Sequence, residues 1–344
     1  MSVTMKDIAR ETSCSIATVS LALSDKESRI SAETRRQIRE VAKRMNYFPN
    51  KAAVSLVTNR SRTIGAMMAD LTNPHISTMF MAMNTELNHH GYVLLCRTTT
   101  DMVINDYTVP NLSALVSEGL IGLILCQPYS LDENPRKTEE VRSYLAQTGL
   151  PVVTRDLPQL NSCGVDVKVN YYGGGYMATK HLLNYGHTCI GCVIGTEDYE
   201  VTQERIRGYR AALEEFGIAY DDELLFRGDY GMNSGSKALP YLLGKQVTAI
   251  FSFNDEMAFG IYRSARQYGI KIPQDLSVIG FDNVPFDEVL EVPLTTIHIP
   301  TEEIGVCAAR EIVDMIEHGI PKELRVVTYE PTLMIRGSTA LLNK

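Results

Sequence analysis

Residues 4–23 read Thr4-Met5-Lys6-Asp7-Ile8-Ala9-Arg10-Glu11-Thr12-Ser13-Cys14-Ser15-Ile16-Ala17-Thr18-Val19-Ser20-Leu21-Ala22-Leu23. Thr4 stands at a helix N-cap, with Asp7 three residues on to return the hydrogen bond, the spacing of a capping box. Ile8, Ala9 and Thr12 mark the inner side of this first helix. Ser13-Cys14 breaks it, and Ser15 caps a second helix from Ile16 to Leu23, with Val19 and Leu23 one turn apart on one face. Further out, Ser31 caps a third helix in which Ile38, Val41, Ala42 and Met45 follow the i, i+3, i+4, i+7 spacing, and Pro49 ends the unit. A helix, a tight turn, a helix and a packing helix make the helix-turn-helix layout, whose second helix enters the DNA major groove.

The charge distribution agrees with that reading. Residues 1–62 hold 12 Lys/Arg against 6 Asp/Glu, while the remainder holds 21 against 35, so a small basic head precedes a large acidic body. Only the head is suited to meet a polyanion. At 344 residues, with 44% hydrophobic and 22% charged, the chain is an ordinary globular one of about two domains. No apolar run approaches the ~18 residues of a membrane span. Residues 1–10 lack the apolar stretch of a secretory signal, and seven scattered cysteines are expected as reduced thiols, so a cytoplasmic location is expected.

From Thr63 onward, apolar runs alternate with helical patterns. Strands are predicted over 63–68, 92–96, 120–125, 151–154, 190–194, 249–253 and 277–281. Helices are predicted over 74–89, 135–147, 174–185, 204–216, 255–268 and 301–317. This alternation implies parallel sheets covered on both faces. Gly173-Gly174-Gly175 lacks the Gly-Lys-Ser/Thr of a phosphate loop and reads as helix-start packing. Cys189-Ile190-Gly191-Cys192 has no second pair to complete a zinc site and reads as core thiols. His89-His90 reads as a helix end, and the Met79, Met81, Met83 run as gap-filling or an interface. No nucleophile elbow or acid/base pair is present. Neither enzyme activity nor a metal or cofactor is expected.

Several motifs, taken in order, resemble the lactose-repressor/galactose-repressor (LacI/GalR) family. They are Met5–Ala9, Ser15–Ser20, Ser31–Arg35, Asn46–Asn50, Arg62–Gly65, Asp70–Pro74, Glu204–Tyr209, Phe253–Ala258, Val278–Asn283, Pro293–Ile297 and Arg336–Thr339. The resemblance implies a helix-turn-helix head (1–48), a hinge linker (49–62) and an effector-binding and dimerisation body (63–344). The body would comprise two Rossmann-like subdomains of the periplasmic-binding-protein type. Its first half is expected over 63–160 plus about 294–320, and its second over 161–293 plus about 321–344, with crossings near 156–165, 291–296 and 319–327.

The resemblance also assigns roles. Thr4, Ser15, Ile16, Ala17, Thr18, Ser20, Leu21, Ser31, Asn50, Ala53 and Leu56 fall at DNA-binding positions. Leu56 is implied as the wedge that opens a central base step, with Ala53 beside it in the minor groove, although a plain helical linker is the alternative. Ile16, Ala17 and Leu21 offer no side-chain hydrogen bond, so thymine methyl contacts are expected at those positions. His75, Ile76, Asp156, Arg205, Tyr230, Asn254 and Asp282 are implied as effector-binding, with Arg205 and Asp282 alternatively a structural ion pair. Many relatives carry aromatics at positions 75 and 76. The implied partners are a palindromic operator, a second copy of the chain and a small-molecule effector, a sugar or sugar phosphate, with no membrane. A transport-class sugar-binding protein, or a co-repressor-dependent regulator binding a nucleobase, remains the alternative. No leucine heptads follow the closing motif, so a dimer is expected rather than a tetramer.

Overall fold

The computed structural model describes residues 3–23, 30–47, 61–98, 108–126 and 135–342. Asn50, Ala53 and Leu56 lie outside these residues. Two compact units form, residues 1–61 and 62–344.

In the first unit, helices α1 (Met5–Thr12), α2 (Ile16–Leu23) and α3 (Ala32–Arg44) enclose a small core of Ile8, Ala9, Val19, Ala22, Ile38 and Ala42. Small alanines at the contacts let three short helices approach closely. The expected caps form. Thr4 and Asp7 make the capping box, and Ser15 and Ser31 accept from the backbone N–H of Thr18 and Thr34, each at 3.1 Å.

The second unit holds two six-stranded sheets. The first sheet is all parallel in the order β11-β5-β4-β3-β1-β2. Its strands are β1 (Thr63–Met68), β2 (Val93–Thr98), β3 (Leu123–Cys126), β4 (Val152–Arg155), β5 (Gly164–Val169) and β11 (Leu324–Tyr329). The second runs β12-β10-β9-β8-β6-β7. It contains β6 (Ile190–Ile194), β7 (Leu225–Arg227), β8 (Ala249–Ser252), β9 (Ser277–Asp282), β10 (Thr295–His298) and β12 (Thr332–Met334), with only β12 antiparallel. Helices α4 (Pro74–His89), α5 (Val109–Val116), α6 (Pro135–Thr148) and α11 (Thr301–His318) belong to the first half. Helices α7 (Tyr171–Asn184), α8 (Glu200–Glu215), α9 (Met232–Gly244) and α10 (Asp255–Tyr268) belong to the second.

The crossings differ from expectation. Gly164–Val169 and Leu324–Tyr329 pair with each other in the first sheet, and Thr295–His298 lies in the second. The chain therefore crosses between Val169 and Tyr171, between His298 and Thr301, and between Tyr329 and Thr332. The physical reason lies in β5 and β11. One is interrupted by a buried aspartate, Asp166, and the other is an edge strand interrupted by exposed Arg325 and Thr328, so neither shows a long apolar run. Helix α5 was likewise not anticipated, whereas α10 falls where its periodicity placed it.

The glycine run is a packing device. A Cβ on Gly175 would lie 2.5 Å from the Arg205 carbonyl oxygen, so α7 and α8 touch backbone to backbone there. All seven cysteines are free thiols, with Cys192 buried in β6. Met79 and Met83 fill the core under α4, while Met81 is exposed.

Candidate functional site

A cavity of about 410 Å³ lies between the two halves of the body. Its lining residues come from the C-terminal ends of strands and the helix starts that follow them. His75 and Ile76 follow β1, Asp156 follows β4, Tyr230 follows β7, Asn254 follows β8 and Asp282 ends β9. Crevices at the carboxyl ends of parallel strands are where open α/β folds bind ligands. All seven residues expected at the effector site line this one cavity.

The second-half wall centres on Arg205, which α8 carries and the Gly175 contact holds in register. Its guanidinium lies 4.1 Å from the Phe281 ring centroid and 4.6 Å from that of Tyr171, and its Nη1 donates to Tyr230 Oη at 3.0 Å. Stacking on aromatic faces stabilises a buried cation without neutralising it. Asp282 is nearly buried, and His75 Nδ1 lies 3.9 Å from its Oδ1. Burial, then Asp255, push its carboxyl well above the usual range, although Arg205 and Arg155 pull it back. The expected alternative, a direct ion pair between Arg205 and Asp282, does not form.

Asn254 lines the cavity, but both its polar atoms serve the protein. Oδ1 accepts from Met257 N and Nδ2 donates to the Tyr230 carbonyl, each at 2.9 Å, which caps α10 and holds Tyr230 in place. Tyr230, Asp156 and Asp282 have φ of 67°, 56° and 119°, so three side chains of the cavity stand on left-handed backbone. Non-glycine residues adopt it at a cost, and such strain concentrates at ligand sites.

The first-half wall holds a chain of hydrogen bonds that the sequence reading missed. Arg155 Nη2 donates to Tyr171 Oη at 2.8 Å and to His75 Nε2 at 3.2 Å, while Nη1 lies 3.3 Å from Asp156 Oδ2. Tyr171 Oη donates to the same Asp156 oxygen at 2.9 Å, and His75 Nδ1 meets Thr301 Oγ1 at 2.9 Å. Burial, then Arg155 and Arg205, hold His75 well below its ordinary value, so it is neutral. Since Nε2 accepts from Arg155, Nδ1 carries the hydrogen. Tyr171 and Thr301 are the first helical residues after two of the crossings, so this chain ties the crossings to the cavity. The signal for Arg155 was its place: a cation at the carboxyl end of an apolar strand, directly before Asp156.

In the head, Ile16 (46%) and Leu21 (44%) are the large exposed apolar side chains of α2, with Ala17 and Ser20 also outward. That face is opposite buried Val19 and Ala22. The hydroxyls of Ser15 and Thr18 bond each other at 2.8 Å, as do those of Ser31 and Thr34, so these residues are already engaged in capping.

Residues 4–50 match the family described as bacterial regulatory proteins, lacI family, and residues 179–339 match the periplasmic binding protein-like domain. The chain is 33% identical over its full length, and that of the relative, to the HTH-type transcriptional regulator DegA of Bacillus subtilis (strain 168). It is 32% identical to the HTH-type transcriptional repressor PurR of Aliivibrio salmonicida (strain LFI1238), covering 97% of this chain and 98% of that one. The chain belongs to the LacI family. A LacI family transcriptional regulator from Enterococcus faecium, solved with bound ribose, matches at a TM-score of 0.72 and 29% identity over 82% of this chain and 100% of that one. LacI-family membership makes this chain a DNA-binding transcriptional regulator with an effector-binding body, since these relatives are named regulators and repressors, not enzymes. Among the described residues, no helix is long and apolar enough to cross a membrane, and no group of three or more His, Cys, Asp or Glu is arranged to hold a metal ion.

Proposed function

We propose that this LacI-family chain is a cytoplasmic homodimeric repressor whose hold on a palindromic operator is set by a neutral sugar bound between Arg205 and Asp282. The observation that carries the ligand class is the pairing of these two groups. A stacked guanidinium and a carboxyl group with no direct hydrogen-bond partner line one cavity, two polar groups for adjacent hydroxyls. Tyr230 gives the flat face that a sugar's C–H side needs. A phosphorylated sugar fits less well. Asp70, Asp156, Glu200, Asp229, Glu256 and Asp282 line the cavity against only Arg155 and Arg205, so a dianion would enter a field of its own sign. His75 and Arg155 present polar edges where a planar base would need an apolar face.

Ligand must bind the two arrangements of the halves differently for any switching to follow. Coupling of about 1–3 kcal/mol would change operator affinity roughly 5- to 150-fold. At the DNA, Ile16, Ala17 and Leu21 read thymine methyls, and Leu56 opens the central step.

A thermal-shift panel of D-ribose, neutral hexoses, their phosphates and nucleobases tests the ligand class. A ligand at a hundredfold excess over Kd stabilises the folded state by about 2.7 kcal/mol. A neutral sugar is expected to give that shift. A shift from nucleobases or sugar phosphates alone sinks the reading.

A further inference from the structure

Behind the first-half wall lies a carboxyl group that does not line the cavity. Asp166 stands in β5, fully buried, directly across from Thr154 of β4 in the register of the sheet. Residues paired in this way send their side chains to the same face. Thr154 Oγ1 donates to Asp166 Oδ1 at 2.6 Å, and the same oxygen accepts from the backbone N–H of Leu157 at 3.0 Å. Its two donors therefore flank Arg155 and Asp156, one residue before the pair and one after it.

The turn they bracket needs holding. Asp156 has a φ of 56°, a left-handed conformation that persists in a non-glycine residue where its neighbours over-determine it. Its N–H donates to the Val167 carbonyl at 3.1 Å, and its Oδ1 accepts from Val169 N at 3.0 Å. From this turn Arg155 and Asp156 meet Tyr171, and Arg155 meets His75. Asp166 is also a costly residue to bury. Among the described residues its Oδ2 has no hydrogen-bond partner, and burial pushes the carboxyl up to about 6 against the pull of its two donors. A half-satisfied buried carboxyl weakens a fold, so packing alone does not account for it. The filled oxygen does.

We propose that Asp166 is a positioning residue for the ligand cavity: one carboxyl oxygen clamps the chain at Thr154 and Leu157, fixes the left-handed turn between them, and so aims Arg155 and Asp156. The proposal rests on the reading above only in taking this cavity as the ligand site. Asp166 itself touches no ligand and acts through the backbone on either side of the two wall residues. An acceptor in the place of Oδ1 is all that the clamp requires. The amide oxygen of asparagine supplies one, and the methyl groups of valine do not.

The test uses the full chain without any sugar, so it is independent of the thermal-shift panel. Amide hydrogen exchange over 155–161 is followed in wild type, Asp166→Asn, Asp166→Val and Thr154→Val. The fluorine resonance of Tyr171 in fluorotyrosine-labelled protein, assigned by its loss in Tyr171→Phe, reports the wall itself. Tyr171 belongs to the other half of the body and is bound to both Arg155 and Asp156. Asp166→Val should exchange about tenfold faster over 155–161 and shift the Tyr171 resonance, while the rest of the first sheet stays protected. Asp166→Asn should match wild type in both readouts. Thr154→Val keeps the Leu157 bond and should fall between the two. Wild-type exchange with an unmoved Tyr171 resonance in Asp166→Val would overturn the proposal, as would Asp166→Asn behaving like Asp166→Val. Faster exchange spread evenly over the first sheet, with Tyr171 unmoved, would leave Asp166 a role in stability alone and overturn it too. Should Asp166→Val not fold, Thr154→Val decides: exchange over 155–161 equal to wild type overturns the clamp, and a local rise with a shifted Tyr171 resonance supports it.

Discussion

The second-half wall of the cleft presents Arg205 and Asp282 with polar capacity still open, while the first-half wall presents His75 and Arg155 already bonded to each other. Arg205 leans on rings and one phenol, and Asp282 has a neutral histidine at 3.9 Å. Arg155 instead is shared among Asp156, Tyr171 and His75. The contrast separates two kinds of buried polar group. On the proposed reading, the groups left short of partners meet the ligand, while Arg155, whose two Nη atoms are taken up although its Nε is not, holds the shape of the wall.

The sharpest way to break this division is Arg155→Met. It leaves Asp156 buried without its cation, which should cost about 3–5 kcal/mol in urea unfolding. Ligand affinity measured on the surviving fold should change by less. Unaltered stability with collapsed ligand binding would move Arg155 to the other wall.

Asp282→Ala and Arg205→Ala should do the reverse. Removing one member of a desolvated polar contact costs about 2–5 kcal/mol of binding, so calorimetry should show affinity down by roughly thirtyfold or more. Operator binding itself should remain while its response to sugar disappears. Asp282→Ala binding within threefold of wild type would leave the wall without its defining residue.

Asn254→Ala sharpens the comparison at smaller scale. Its side chain caps α10 and holds Tyr230, so about 1 kcal/mol of stability should go, with ligand selectivity unchanged among sugars. A change in which sugar binds would show that the amide also faces the ligand.

How much of this was readable beforehand depended on whether a residue lay in a local pattern. The head was legible because Thr4, Ser15 and Ser31 are caps at helical spacing, and caps act over three residues. Arg205, Asn254 and Asp282 came from motifs that resemble the family's, and the fold brings those motifs to one cavity. Arg155 escaped because its partners, His75 and Tyr171, lie 80 and 16 residues away. Strands β5 and β11 escaped for a similar reason, since each is held by its neighbour in the sheet more than by its own hydrophobicity.

The crossings also bear on the order in which the chain can become structured as it is made. The head needs nothing beyond α3, which ends at Arg44. Neither half of the body is complete until almost the whole chain exists. β11 closes the first sheet only at Tyr329, and Ser338 accepts from Val278 N and donates to the Val278 carbonyl in the second. At about 5–20 residues per second, roughly 15–60 s of synthesis separate the two events. Throughout that interval, a folded nucleic-acid-binding head trails a ribosome-bound body that has no cleft. The nascent molecule can touch DNA before it can sense anything.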